Sequence, residues 1–144
     1  MTRLWLQICD RQTKFWLQIY EVKIKFYELL DKRIQGEPVS RIVGTRNFWK
    51  NNFLISKYTL DPRPDTEVII DIVTKAYCYN TNNIQVLDLG SGSGCIGLSI
   101  IDDLKNSSLL SLDICKKALK QVRINAKRLK LSKKLCCYQV DWFE

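Results

Sequence analysis

The chain has 144 residues, of which 46% are hydrophobic and 26% charged, and its formal net charge is +8. This length suits one hydrophobic core, and the composition is that of a globular protein. Because the chain contains no histidine, it cannot supply a Ser/His or Cys/His nucleophile pair or a histidine general base.

The composition also indicates where the protein works. The longest apolar runs are shorter than a membrane span, and charged residues interrupt the N-terminus where a signal peptide has its apolar centre. Six cysteines occur without a C-x-x-C pair, which favours neither a disulfide scaffold nor a zinc site. We therefore expect a cytoplasmic chain with buried, reduced thiols, no metal and no membrane contact.

The N-terminal part is predicted to be helical. Apolar residues recur at helical spacing from Arg3 to Arg33, which predicts one or two amphipathic helices. The helical pattern ends at Gly36-Glu37-Pro38. We therefore assign residues 1–35 to a partial N-terminal helical segment.

A β-hairpin and a connector helix are predicted over residues 36–83. Two β-rich runs, at 46–49 and 53–59, flank Asn51-Asn52, which we take as the turn. Two prolines then enforce an extended connector, and a helix follows that runs to about Cys78.

Residues 84–144 are predicted to form a βαβαβ unit that is incomplete at its C-terminus. The predicted strands cover 85–89, 108–113 and 135–140, and the helices between them cover 93–104 and 115–130. This order gives an α/β, Rossmann-like sheet of about three parallel strands with right-handed crossovers. The basic residues concentrate at 116–134, where they fit the solvated face of the second helix, so a nucleic-acid partner is not expected.

A glycine loop joins the first of these strands to its helix, in the run VLDLGSGSGCIG at residues 86–97. Doubly wound sheets bind their ligands at this point, and glycines let the backbone approach a ligand closely. The predicted cofactor-binding residues of the loop are Gly90, Ser91, Gly92, Ser93 and Gly94. A further acid, Asp113, ends the next strand, where a carboxylate can accept hydrogen bonds from both ribose hydroxyls of a nucleoside.

The carboxylate of Asp88, just before the loop, separates three interpretations. The frame from Gly92 to Gly97 fits the dinucleotide pattern G-x-G-x-x-G, but a pyrophosphate would then face Asp88 and be repelled. S-adenosylmethionine carries an ammonium and a sulfonium on its methionine end, and a nearby carboxylate would stabilise these positive charges. A structural turn with a cap-like Asp88 is the third interpretation. We favour S-adenosylmethionine, with Asp88 facing its cationic end directly or through water.

Seven short segments together resemble the release-factor glutamine methyltransferases. They are Gly36-Glu37-Pro38-Val39, Ile42-Val43-Gly44, Phe48-Trp49, Pro62 to Glu67, Val86 to Gly97, Asn125-Ala126 and Asp141-Trp142-Phe143. The similarity covers about residues 32–143, and the Arg-Pro-Asp-Thr-Glu connector is a signature of the family. The resemblance implies a class I methyltransferase fold and methylation, with S-adenosylmethionine, of the glutamine amide in the Gly-Gly-Gln loop of peptide-chain release factors.

The resemblance also implies residue roles. Gly90 through Gly94 resemble the cofactor loop, Asp113 the ribose-binding acid and Trp142 the residue beside the adenine. The family holds its target amide with an Asn-Pro-Pro-Tyr motif that this sequence lacks, so no catalytic residue is assigned. We expect a truncated copy that alone transfers methyl groups poorly or not at all, and that is either poorly soluble or rescued by a separately encoded C-terminal piece.

Two other functions stay open at this point. The basic helix suggests an RNA-methylating relative, and the missing motif suggests a non-catalytic remnant that binds no ligand. Retention on RNA with steep salt dependence is the mark of the first.

Overall fold

A computed structural model describes the backbone of residues 2–141 and the side chains of residues 13, 14 and 16–141. The chain divides into two compact units, Met1–Ile42 and Val43–Glu144. The first unit consists mainly of one uninterrupted helix, α1 (Thr2–Ile34). A short helix, α2 (Val39–Val43), follows it.

Helix α1 ends at Ile34, and Gly36, two residues beyond it, has a left-handed φ of 90°. The Gly36 N–H donates to the carbonyl of Arg33, and the Glu37 N–H donates to the carbonyl of Lys32. This is the Schellman arrangement, in which glycine lets the chain turn back and satisfy the last helical carbonyls. Although α1 has 33 residues, neither it nor any other described helix is apolar enough to cross a membrane.

The second unit begins with an antiparallel hairpin of β1 (Thr45–Phe48) and β2 (Asn51–Leu54). Phe48 pairs with Asn51, so the turn is Trp49-Lys50, and the turn predicted at Asn51-Asn52 was wrong. Trp49 has a φ of 54°, a conformation that a bulky residue adopts only when its surroundings fix it.

Two acids from later in the chain hold Trp49 in this conformation. The backbone N–H of Trp49 donates to the Glu67 carboxylate at 2.9 Å, and its indole N–H donates to the Asp103 carboxylate at 2.8 Å. Glu67 begins α3 (Glu67–Tyr77), after a short 3₁₀ turn at Pro64–Thr66. The connector therefore fixes the hairpin as well as leading into α3.

The rest of the unit is a three-stranded parallel sheet with two crossover helices. Its elements are β3 (Ile84–Leu89), α4 (Cys95–Asp103), β4 (Ser107–Asp113), α5 (Lys116–Arg128) and β5 (Leu135–Gln139), and the strand order is β3-β4-β5. The predicted α/β, Rossmann-like fold is confirmed. Asp88 pairs with Ser111 and Leu89 with Leu112, so β3 and β4 end at the same edge of the sheet.

The hydrophobic core lies between the helices and one face of this sheet. An apolar stripe on α5 contributes Ala118, Leu119, Val122 and Ala126, which are all at most 1% exposed. Helix α4 contributes Leu98 and Ile101, and β4 contributes Leu109. Burying these side chains fixes α4 and α5 against the ends of β3 and β4, where the glycine loop lies.

The cysteines depart from expectation in part. All five with described side chains are free thiols, and Cys95 is buried. Cys78 and Cys136 are exposed, so the prediction that every cysteine is buried was wrong. Cys78 follows the last residue of α3, and the exposed Cys136 alternates along β5 with Cys137, which packs against the core.

Candidate functional site

The loop between β3 and α4 is built on three glycines in left-handed conformations. Gly90, Gly92 and Gly94 have φ values of 72°, 54° and 78°, which other residues adopt only with strain. A Cβ added at Gly94 would lie 2.9 Å from a Val122 methyl group, whereas one at Gly92 would meet only the Gly90 carbonyl oxygen, at 3.9 Å. The loop is therefore packed against α5 at Gly94 and open at Gly92.

The end of β4 anchors this loop through the backbone of Leu112. The Leu112 carbonyl accepts hydrogen bonds from the N–H groups of Gly90 and Ser91 and from the Ser91 hydroxyl at 3.1 Å. The Ser91 hydroxyl is thus already used within the protein. The predicted contact of Ser91 with a cofactor stays a prediction.

Asp113 holds the loop from the other side. One of its carboxylate oxygens accepts the Gly92 N–H at 2.9 Å, and the other accepts the Cys115 N–H at 2.8 Å. The residue is 8% exposed. Because each carboxylate oxygen has two lone pairs, both can still accept a further hydrogen bond from a ligand hydroxyl.

Asp88 places a second carboxylate beneath the loop. Its Oδ2 atom is buried and accepts no hydrogen bond from the described residues. Burial raises the pKa of Asp88, the N–H of Gly97 opposes this rise, and the negative charge of Asp113 adds to it. A buried carboxylate oxygen without a partner is costly, so Asp88 is a position where a cationic group would be stabilised.

Gly97 is what allows the Asp88 carboxylate to lie so close to α4. A Cβ at Gly97 would be 2.8 Å from Asp88 Oδ2 and 2.7 Å from a Leu109 methyl group. Gly97 belongs to the first turn of α4, where free N–H groups favour an anion. The cap-like interpretation of Asp88 therefore has a geometric basis beside the ligand interpretation, and the two are separated experimentally below.

Asn125 on α5 is a site residue whose role the sequence did not reveal. Its side-chain amide accepts the Leu54 N–H at 2.9 Å and donates to the carbonyls of Leu54 at 3.0 Å and Ser93 at 2.9 Å. The residue is 1% exposed. It therefore ties the hairpin to the glycine loop. The hint in the sequence is that Asn125 is a polar residue within the apolar stripe of α5.

The structure brings most of the predicted site residues together at one edge of the sheet. Ser93 is buried, and its carbonyl faces the Asn125 amide. Trp142 lies outside the described residues. Among the side chains that the structure describes, no group of three or more Cys, Asp and Glu residues could hold a metal ion.

Comparisons with known proteins show the family of this chain. The model of the methyltransferase small domain matches residues 47–144. The chain is 37% identical to the release factor glutamine methyltransferase of Agrobacterium fabrum, covering 81% of this chain and 41% of that protein. It is 38% identical to the protein of that name from Caulobacter vibrioides, covering 80% of this chain and 39% of the relative. These relatives confirm the resemblance found in the sequence.

Other relatives carry a broader name. The bifunctional methyltransferase of Rickettsia conorii is 30% identical, covering 83% of this chain and 27% of that protein. The chain thus spans between 27% and 41% of the length of these relatives. Among solved structures, the METTL16 MTase domain superposes with a TM-score of 0.53 at 19% identity, over 64% of this chain and 37% of that one, which supports the fold alone.

Proposed function

This chain belongs to the methyltransferase small domain family, and we propose that it supplies the cofactor-binding part of an enzyme that methylates the glutamine side-chain amide of peptide-chain release factors. The expected cofactor, S-adenosyl-L-methionine, is the methyl donor of that family. The release-factor substrate is supported by the names of the relatives at 37% and 38% identity. A translation factor as substrate agrees with the cytoplasmic location expected from the sequence.

One observation supports the assignment of the cofactor to the glycine loop and the two acids beside it. Two carboxylates, Asp88 and Asp113, border a glycine loop that is open at Gly92. A pyrophosphate at this loop would face the negative charge of Asp88, which disfavours a dinucleotide. A nucleoside with a cationic amino-acid tail offers Asp88 the partner that its buried oxygen lacks. The residues therefore fit S-adenosylmethionine.

The residues of the chain act by positioning. S-adenosylmethionine, when bound, supplies a methyl group on a positively charged sulfur. We assign the ribose hydroxyls to Asp113 and the ammonium group to Asp88, while the free N–H groups of the first turn of α4 favour the carboxylate of the same ligand. Holding the donor in one orientation lowers the entropic part of the barrier to transfer.

Isothermal titration with S-adenosylhomocysteine tests the assignment. We expect saturable, one-to-one binding by the folded chain. Binding of NAD with equal or higher affinity would contradict the proposal, and so would no heat with S-adenosylhomocysteine from a chain that unfolds cooperatively.

Transfer of labelled methyl groups tests the acceptor. With a release factor as substrate, we expect any label to lie on the glutamine of its Gly-Gly-Gln loop, as located by mass spectrometry, and to vanish when that glutamine is alanine. Label on RNA instead of the release factor would favour the RNA-methylating alternative.

Replacing Asp88 by asparagine is expected to have opposite effects on stability and on cofactor affinity. Because burial raises the pKa of Asp88, the unfolded chain ionises this carboxyl at lower pH than the folded chain does. The ligand-free protein therefore loses stability as the pH rises from the ordinary pKa of an aspartate through the raised one. Asp88→Asn removes this loss, so its melting temperature at neutral pH equals or exceeds that of the original chain.

The same variant should bind S-adenosylmethionine more weakly, because it has lost the charge that faces the ammonium. A charge-assisted contact of this kind is worth about 1.5–3 kcal/mol, or about 10- to 150-fold in affinity. Thermal unfolding at two pH values and titration calorimetry measure the two effects. Lower stability at neutral pH with unchanged affinity would instead support the cap-like role of Asp88.

A further inference from the structure

The net positive charge of this protein comes from one segment. Nine of the 23 basic residues lie between Ile114 and Val140, a stretch with no Asp or Glu, while the 15 acidic residues balance the basic residues elsewhere. The segment comprises α5, the turn after it and β5. The net charge of the chain is therefore a local property of this surface.

Six of these nine cations are exposed and have no partner among the residues that the structure describes. Arg123 donates to the Cys137 carbonyl, and Lys134 donates to the Ile101 and Leu104 carbonyls. Lys117 contacts Tyr58. The remaining six residues form what we call the basic face, which consists of Lys116, Lys120, Lys127, Arg128, Lys130 and Lys133, all exposed. Within the described residues, the ion pairs lie elsewhere, for example between Lys50 and Asp103 and between Lys75 and Asp71.

A second cluster lies beside the N-terminus of α5. The Lys117 ammonium donates to the Tyr58 hydroxyl at 3.0 Å and lies 4.3 Å from the centroid of that ring. The Lys57 ammonium lies 5.4 Å from the same centroid, and Tyr58 is 42% exposed. Two cations thus share one exposed aromatic ring, with no carboxylate paired to either among the described residues.

Contrary to the expectation from the sequence, we propose that the basic face, together with Lys57, Tyr58 and Lys117, binds the sugar-phosphate backbone of a single-stranded nucleic acid. From Lys116 to Lys127 the helix rises about 16 Å, so its lysines can contact successive phosphates of one strand. An exposed aromatic ring among cations is the usual means of holding an unpaired base. The proposal is independent of the methyl acceptor and of the cofactor.

Other polyanionic partners fit this surface less well. Membrane-surface helices insert an apolar side into lipid, but the apolar side of α5 is buried against the sheet through Val122 and Ala126. Protein interfaces are depleted of lysine at their centres, whereas lysine dominates the basic face. Phosphates spaced along a strand match a row of lysines without any need for an apolar centre.

Fluorescence anisotropy with labelled oligouridylate of about 15 nucleotides tests the proposal on the full chain. We expect Lys116→Gln/Lys120→Gln/Lys127→Gln to weaken binding by about tenfold or more and to make the salt dependence of the association constant shallower by about 2 in log–log slope. The control Lys23→Gln/Lys32→Gln/Lys105→Gln removes the same charge from exposed positions elsewhere and is expected to cost less than about twofold. Thermal unfolding checks that both variants are folded.

Two further probes sharpen the outcome. Tyr58→Leu should weaken binding by about fivefold without changing the salt slope, since a stacked base is lost and no charge is removed. Oligodeoxythymidylate of the same length distinguishes RNA from DNA, and binding of either supports the proposal. The proposal would be overturned by equal losses of affinity in the two triple variants or by an unaltered affinity in Tyr58→Leu. It would also be overturned by tighter binding of polyglutamate than of the oligonucleotides, or by no binding.

Discussion

Replacing Asp113 by alanine is expected to lower the affinity for S-adenosylhomocysteine by about 100-fold or more. The variant loses a carboxylate proposed to accept two ribose hydroxyls, and hydrogen bonds to charged groups contribute about 1.5–3 kcal/mol each. It also leaves the N–H groups of Gly92 and Cys115 without their present acceptor. The loop therefore loses its anchor as well as its ligand contact. Titration calorimetry measures the effect.

Two control variants separate these contributions. Asp113→Asn keeps one carbonyl oxygen and should lose about tenfold in affinity, which places it between alanine and the original residue. Asp71→Ala removes an exposed carboxylate that pairs with Lys75 on α3, and its effect should be negligible. If Asp113→Ala is folded and binds as tightly as Asp71→Ala, the assignment of the ribose to Asp113 is refuted.

Replacing Gly94 by alanine is expected to destabilise the fold by about 2–5 kcal/mol. Part of this loss is the strain of holding a side chain at a φ of 78°. The larger part is the new Cβ, which would lie 2.9 Å from Val122 and 3.1 Å from Leu98. Both neighbours are fully buried, so neither can move without disturbing the core. Urea unfolding measures the free energy.

Gly44→Ala is the matched control for strain without crowding, because Gly44 lies in the same compact unit as Gly94. Gly44 has a φ of 77°, and an added Cβ there meets nothing within 4 Å. Its substitution should cost about 1–2 kcal/mol, less than that of Gly94. Equal losses at the two positions would show that α5 yields to the extra methyl group, contrary to the close packing described above.

The sequence predicts the parallel sheet well because its signals are local. Alternating or continuous apolar runs mark β3, β4 and β5, and the glycines that follow β3 are required by the dihedral angles of the loop itself. The hairpin turn was misplaced for the opposite reason. Trp49 is held at its φ of 54° by Glu67 and Asp103, which lie far from it in the chain.

The same distinction applies to the candidate site. Asp88 and Asp113 could be singled out because each stands at the end of a predicted strand, next to a recognisable loop. Asn125 could not be given a role, since it bonds Leu54, which lies 71 residues earlier in the chain. The basic segment can be identified by counting charges in the sequence, but only the structure shows which of its cations have partners.

The amide of Asn125 couples the hairpin to the glycine loop. Opening of β2 at Leu54 breaks two of the hydrogen bonds that orient the Asn125 amide, which also donates to the Ser93 carbonyl, so fluctuations of the hairpin and of the loop are coupled. A ligand that orders the loop is therefore expected to slow solvent exchange at the Leu54 amide. Part of its binding energy would then stabilise the hairpin, which precedes the whole parallel sheet in the chain.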